Sequence, residues 1–456
     1  MSKLIVEVCE IADVNPHPNA DKLDIILVKG WNVVTIKDAF KKGQKCVYFP
    51  PDSILPPEIY NDPSDVIPGR LNCYRYLHAL PKDENGNKPT GARVTACRLR
   101  GSVSYGLVMA LDAACGDDLN WPIGTDVSSH FNITKYEPPV EQTCGDAEKS
   151  NSKFYGYTSI EHYGNYPDSF TENEEVIFTE KIHGCNVRFG LILENDKDGV
   201  ADWVYAAGSH SVRRKEFSRS ETRLTIALTV APKIDDIISV NSKNWKIEKV
   251  LEAEPCSFTV SYPTNTDSFV YEDCDTIPLY KLQCYEVDEN GETIHKQSKY
   301  WTFFDNNIKS LLSHIKYNFE FKEAKFSIML YGEMFGPTIQ DMTYGLKNNL
   351  AFRAFDISIN NLYLDYDVKM ELFNRFNVKT VPILYRGPIT ASKVTEYTSG
   401  PTTVCKPEEA GKFKGREGIV ISPVKEVYFC PNIRGRKILK SVSVDYLTRK
   451  NGTEFH

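Results

Sequence analysis

The stretch Thr179-Glu180-Lys181-Ile182-His183-Gly184-Cys185-Asn186-Val187-Arg188 decides how this chain is read. An apolar, β-branched run, 176–179, leads into it, and a second extended run, 186–193, leads away. One lysine therefore stands at a tight bend between two strands. Gly184, three residues on, lets another group approach the main chain closely. By itself the pattern fits a solvated hairpin lysine as well as a nucleophile beside a bound substrate. Four later segments bear on the choice. Residues 330–336 end a strand with Glu333 between Gly332 and Gly336, and 352–357 place Phe352, Phe355 and Asp356 on a short strand. Residues 416–421 open an apolar strand with Glu417, and 436–441 carry Lys437 and Lys440 near the C-terminal end.

Around these segments lies an ordinary soluble composition. The 456 residues are 41% hydrophobic and 25% charged, enough for two or three domains with real cores. No run approaches the roughly 20 apolar residues of a membrane helix. Two glutamates interrupt the apolar start, Glu7 and Glu10, so it does not read as a signal peptide. The net charge of −7 excludes a protein that is basic throughout, though not local basic surfaces. Twelve cysteines without a C-x-x-C pair read as reduced thiols, which places the chain in the cytoplasm or the nucleus. There is no P-loop, G-x-G-x-x-G or G-x-S-x-G, so any nucleotide chemistry must use another scaffold.

The expected fold class is α+β in two parts. Short β-rich runs at 4–11, 24–28, 32–36, 45–49, 93–99 and 106–109 suggest an OB-type β-barrel over 1–135, with a short helix at 37–42 and a long loop at 52–89. Residues 136–153, nearly free of aliphatic side chains, read as a linker. An α+β domain follows over 154–448, with strands at 176–179, 186–193, 203–206, 327–331, 351–357 and 418–421 and helices at 301–315 and 368–376. Few periodic runs appear over about 226–298, which reads as an insertion.

In this order the five segments resemble motifs I, III, IIIa, IV and V of the covalent nucleotidyltransferases, the superfamily of ATP-dependent ligases and mRNA-capping guanylyltransferases. The form K-x-H-G, with Asn186 two residues after the glycine, is similar to RNA ligases. Upstream, Pro16-His17-Pro18-Asn19-Ala20-Asp21-Lys22-Leu23, Tyr48-Phe49-Pro50-Pro51-Asp52-Ser53 and Arg98-Leu99-Arg100-Gly101 resemble an RNA ligase family with an N-terminal OB domain. The resemblance implies an ATP-dependent RNA ligase that joins RNA 3′-OH and 5′-phosphate ends, through a covalent lysyl-AMP, at nicks in duplexes. ATP would be the AMP donor, with Mg2+ or Mn2+ as metal. The partner would be RNA or an RNA-containing nicked duplex, with no membrane and a monomeric enzyme.

The same resemblance assigns the residues. Lys181 would attack the α-phosphorus; a lysine titrates near 10.4 unperturbed and must lose its proton first. A nearby cation, Mg2+ or Lys440, would disfavour the ammonium. Glu333 and Glu417 are the carboxylates for a hard metal, with Glu333 also placed to hold the ribose. Glu180, Gly184, Arg213, Phe352, Lys437 and Lys440 would complete the nucleotide site, with Phe352 stacked on adenine and Lys440 on the α-phosphate. In a strand Lys437 points to the face opposite Lys440. Phe355 is expected in the core and Asp356 in a structural or metal-shell role. His210 stands in the 208–215 segment where relatives carry arginine, so Arg213 or Arg214 would take its part. His183, Asn186, Arg214, Arg98 and Arg100 would meet RNA. Two rivals remain, a capping guanylyltransferase and a non-catalytic RNA- or tRNA-binding OB protein. The first would need an OB domain after Lys440, where this sequence has 16 residues. On this scheme residues from about Ser152 onward suffice for adenylylation, and the OB part is needed to grip the nick.

Overall fold

The computed structural model describes residues 4–61, 71, 73–80, 90–111, 121–136, 146–195, 199–228, 230–254, 278–411, 413–430, 433 and 435–449. Half of the expected linker (137–145), parts of the 52–89 loop and the centre of the expected insertion (255–277) lie outside the described residues. The chain forms two compact units. The first joins Met1–Pro139 to Gly156–Asn186 and Leu330–His456, and the second joins Val140–Tyr155 to Val187–Met329. Compactness thus does not follow chain order.

The N-terminal part of the first unit holds a five-stranded antiparallel sheet. Its strands are β1 (Glu7–Pro16), β2 (Leu23–Val28), β3 (Trp31–Ile36), β4 (Lys45–Phe49) and β5 (Leu107–Ala110), in the order β5-β4-β1-β2-β3. One side packs with a smaller sheet around Val6, Val8, Val47, Phe49, Leu55 and Val94. The expected strand 93–99 is instead two, Ala92–Val94 and Cys97–Leu99, which join different sheets. Cys97–Leu99 turns back on Ser102–Ser104 through Arg100 and Gly101, both at positive φ, the turn that suits a two-residue hairpin. The expected helix at 37–42 is a turn, because Asp38 sits at φ 59° and its N–H donates to Asp24 Oδ2.

The remainder of the first unit is built on a second five-stranded sheet. It comprises β6 (Glu161–His162), β7 (Glu175–Lys181), β8 (Ile383–Pro388), β9 (Gly418–Pro423) and β10 (Leu439–Val442), ordered β6-β10-β9-β7-β8. Period-2 alternation sorts its side chains. Val176, Phe178, Ile419, Ile421 and Leu439 share one apolar face with Val394 of the helix Ala391–Thr398. The opposite face receives Lys181, whose partner is Gly418, and Lys440, whose partner is Val420. A helix at Tyr366–Arg375 lies close to the expected bounds. The helix expected from 301 begins at Asn306, where Asp305 caps it by accepting from Ile308 N–H.

In the second unit, Val187–Asn195, the greater part of the strand Cys185–Asn195, pairs antiparallel with Ala201–Ser209. The stretch read as lacking periodicity supplies Ile237–Val240, Lys243–Glu254 and Leu279–Val287, which with Glu221–Ala227 form a four-stranded sheet over Ile247, Leu282 and Cys284. Two register shifts within Lys243–Glu254 disturb its alternation, which hides the strand from a periodicity count. The eight described cysteines are free. No helix among the described residues is long and apolar enough to cross a membrane.

Candidate active site

The lysine bend is built by close approaches that only glycine allows. A Cβ on Gly184 would lie 2.3 Å from the Met334 carbonyl oxygen and 2.9 Å from Glu333 Cγ. A Cβ on Gly418 would lie 2.1 Å from the Ser441 carbonyl oxygen. Both glycines therefore draw Glu333, Lys181 and the β10 strand together. Lys181 Nζ donates to Glu417 Oε1 at 2.6 Å; the lysine side chain is 20% exposed and the glutamate 2%. Burial raises the Glu417 carboxyl above its usual range, against the pull of Lys181 and Lys440. Burial also pushes Glu333 up to about 8, with Lys181 opposing and the Glu417 charge adding to the rise. Lys440 is buried and pushed down to about 8, by desolvation first and then by Lys181. Two carboxylates and two lysines thus gather at one place, and the shifts of Glu333, Glu417 and Lys440 are of the kind functional sites commonly show.

Phe352 forms a platform beside this group. A Cβ on Gly332 would meet the Phe352 ring at 2.3 Å, so that glycine makes room for the flat face. Phe355, expected in the core, is half-buried and packs against it. Asp356 is structural: it accepts from the buried Lys369 Nζ (2.8 Å) and Arg436 (2.7 Å) and from the hydroxyl of half-buried Tyr157 (2.8 Å).

Several expected site residues are placed differently. Alternation turns Glu180 to the face opposite Lys181, where its carboxylate accepts from the Thr402 hydroxyl (2.5 Å) and from Thr403 N–H (2.7 Å) and hydroxyl (2.6 Å). That carboxylate is engaged by the 402–403 loop. Lys437 precedes β10 and donates to Glu174 Oε2 at 2.7 Å. Glu174 lies before the far end of β7, roughly 20 Å of extended chain from Lys181, so Lys437 is not in the pocket. His183 is 1% exposed, too buried to reach RNA directly. Its Nε2 donates to Asp341 Oδ1 (2.8 Å), since a carboxylate only accepts, and its Nδ1 accepts from the Tyr446 hydroxyl (2.9 Å). Burial, then Arg449 and Lys181, push His183 down to about 3, so it is neutral. Asn186 Oδ1 is buried with no partner among the described residues.

Arg213 and Arg214 belong to the second unit. There Arg213 pairs with Glu148 at 2.6 Å and with Glu194, and Arg214 pairs with Asp146 at 2.5 Å. Arg98 reaches Asp445 Oδ1 at 2.5 Å, so its guanidinium bridges the N-terminal part to the short helix Val444–Leu447. Arg100 is exposed at the hairpin tip. Asp341, Tyr344, Tyr446 and Arg449 complete the surroundings of the lysine bend, with Tyr344 accepting from His183 N–H (2.7 Å). None carries a local signal, because each acts through a partner distant in sequence.

Glu417 Oε2 is buried and without a hydrogen-bond partner among the described residues, beside the raised carboxyl of Glu333. That oxygen pair fits a hard divalent cation that completes its shell with water and phosphate. Among the described residues no group of three or more His, Cys, Asp or Glu side chains could hold a metal alone.

Lys181, paired with a buried carboxylate and set on one sheet face with a second buried lysine, sits in a chain whose N-terminal part matches an OB-fold domain model over 5–111. The RNA ligase family model matches residues 174–442, more than half of the chain. The chain belongs to the RNA ligase family. Comparison with the curated proteins returned no match. Among solved structures it is similar to Naegleria gruberi RNA ligase. A mutant of that ligase with ATP and Mn is 18% identical, with a TM-score of 0.59 over 98% of this chain and 100% of that one. The ligase with PPi is 19% identical, with a TM-score of 0.58 over 98% of each chain. A mutant with AMP and Mn is 18% identical, with a TM-score of 0.59 over 99% and 100%. At this identity the likeness is one of fold.

Proposed function

We propose that the chain is an ATP-dependent RNA ligase that joins a 3′-hydroxyl to a 5′-phosphate at nicks in RNA-containing duplexes. The observation that carries this reading is the Lys181 amine, 2.6 Å from a buried carboxylate and on the same sheet face as Lys440. In the first step Lys181 Nζ attacks the α-phosphorus of ATP. A P–N bond forms, the bond to the β-phosphate oxygen breaks, and pyrophosphate leaves. In the second, an oxygen of the RNA 5′-phosphate attacks the same phosphorus and releases Lys181. In the third, the 3′-hydroxyl attacks the adenylylated 5′-phosphate and AMP departs.

Lys440 places positive charge against the α-phosphate as charge grows there. Glu417 orients the Lys181 amine, and Phe352 offers the adenine a stacking face. Glu333 and Glu417 would hold Mg2+ or Mn2+, which when bound stabilises charge on the phosphate oxygens. The similar ligase structures solved with ATP, AMP, PPi and Mn support this assignment of ligands. In the same reading 1–135 is an RNA-holding module, 136–153 a linker, and 154–448 the transferase with its insertion. The enzyme acts as a monomer in a reducing compartment. Asn186 and the exposed Arg100 would meet nucleic acid, and the arginines 98, 213 and 214 would meet nucleic acid or phosphate by leaving or sharing their carboxylate partners.

Incubation with α-labelled ATP or GTP, followed by denaturing electrophoresis, tests the reading. Labelling by ATP, lost in Lys181→Ala, together with sealing of a nicked duplex supports it. Labelling by GTP would instead make the chain a capping enzyme, and no labelling a binding protein.

A further inference from the structure

We propose that Trp31 is a positioning residue for lysine adenylylation: clasped on His162, it fixes the edge strand β6 and through it the strand that presents Lys440. The inference rests on the ligase reading above and adds a part for the N-terminal module in the first step.

The argument starts from the shortness of β6. It has two residues, Glu161 and His162, paired in parallel with Leu439 and Lys440. A two-residue edge strand has no stability of its own, so something outside the sheet must hold it. That support is Trp31, at the start of β3. Its indole stacks on Tyr105 with centroids 3.7 Å apart and planes 13° apart, and leans on His162 at 4.3 Å. Its Nε1–H donates to Asn165 Oδ1 at 3.1 Å. A Cβ on Gly164 would lie 2.6 Å from Trp31 Cζ2, so the segment after β6 has been shaped to receive the ring. His162, itself buried, accepts Val442 N–H on Nε2 at 3.1 Å, at the end of β10.

The contact is continuous with the site. Tyr105, Val33, Ile182, Val442 and Tyr446 lie in one core cluster, with Trp31 packed against it. Residues of the N-terminal sheet, of the lysine bend and of β10 therefore share one hydrophobic interior. Lys440 sits between β6 and β9 on that sheet. Displacing β6 uncovers the Lys440 edge of the sheet, so its ammonium loses the dry, fixed setting that places charge at the phosphate. On this proposal a chain beginning near Ser152 lacks Trp31 and loses the first step as well as the grip on RNA.

The test uses the full chain and single-turnover adenylylation with saturating α-labelled ATP, read as a rate constant and an amplitude. A substitution that merely destabilises the fold lowers the amplitude, the competent fraction, and leaves the rate constant alone. Trp31→Ala should lower the rate constant at least tenfold with amplitude retained. Trp31→Phe, which keeps a stacking ring, should restore most of the rate. Gly164→Ala should slow the reaction by forcing its methyl into the indole. Combined with Trp31→Ala it should add nothing further, because the two act through one contact. A wild-type rate constant in Trp31→Ala, a loss confined to amplitude, or strictly multiplicative effects in the double variant would each overturn the proposal. If Trp31→Ala does not fold, Gly164→Ala and Trp31→Phe decide by the same rate and amplitude readings. Failure of the wild-type chain to take label would instead count against the ligase reading itself.

Discussion

Replacing Lys181 by alanine should do more than remove a nucleophile, because the pair it forms is unequal. Glu417 is 2% exposed and Lys181 20%, so the ammonium can reach water and the carboxylate cannot. Without Lys181 the carboxylate stays dry, next to Glu333, with Lys440 and Arg449 as its remaining cationic neighbours. Breaking a fully buried pair costs about 3–5 kcal/mol. Here the lysine is partly wet, and the carboxyl can take up a proton instead, so we expect a loss of about 2 kcal/mol at pH 8. The sign with pH follows from proton uptake. Loss of Lys181 raises the folded-state pKa of Glu417 further above its ordinary value of 4.5. The folded protein then holds a proton that the unfolded chain has released, and stability falls as pH rises through that interval. The loss should therefore be smaller at pH 5 than at pH 8. Glu417→Gln in the same background should recover most of it, since a neutral amide is cheaper to leave dry. Denaturant titrations of the wild type, the single variants and the double variant at both pH values measure this. A Lys181→Ala protein as stable as wild type at pH 8, or a loss that does not shrink at pH 5, would refute the reasoning.

Three further outcomes are expected. Glu333, pushed up to about 8 by burial, makes the wild type lose stability as pH rises from its ordinary value of 4.5 through that range, so Glu333→Gln should melt at higher temperature by a margin that widens with pH; parallel melting curves would remove the effect. Phe352→Ala and Gly332→Ala, which delete or disturb the same platform, should each raise the KM for ATP in adenylylation about fivefold, in line with about 1 kcal/mol of stacking, and an unchanged KM would take Phe352 out of the nucleotide site. Arg98→Ala should cost under about 1 kcal/mol of stability, because the ion pair with Asp445 is solvent-exposed on both sides. If Arg98 exchanges that partner for an RNA phosphate, the salt slope of RNA binding should fall by about one in the same variant.

How much was legible depends on how far apart the interacting residues lie. Lys181, Glu333, Phe352, Glu417 and Lys440 were singled out because the short segments that carry them resemble, in their order, the motifs of one superfamily. The placement of Glu180 was readable too, since period 2 alone sends it to the face opposite Lys181. Its partners Thr402 and Thr403 were not. Lys437 was misplaced because its segment is not yet strand, so alternation from Lys440 does not decide its direction; the ion pair with Glu174 does. The sheet over 221–287 escaped notice because two register shifts scramble the alternation on which such a reading relies.

By itself the sequence determined the α+β class with its N-terminal OB fold, the order of the motifs and the family they resemble. These depend on local pattern: periodicity, turn residues and fixed spacing within a few positions. Only the tertiary structure decided which side chains are available. It buried His183 between Asp341 and Tyr446, tied Arg98 to Asp445, and set Trp31 against His162 behind the Lys440 strand. Each of those contacts spans a long stretch of chain. They exist because strand pairing and hydrophobic burial bring remote segments together, a result no local pattern encodes.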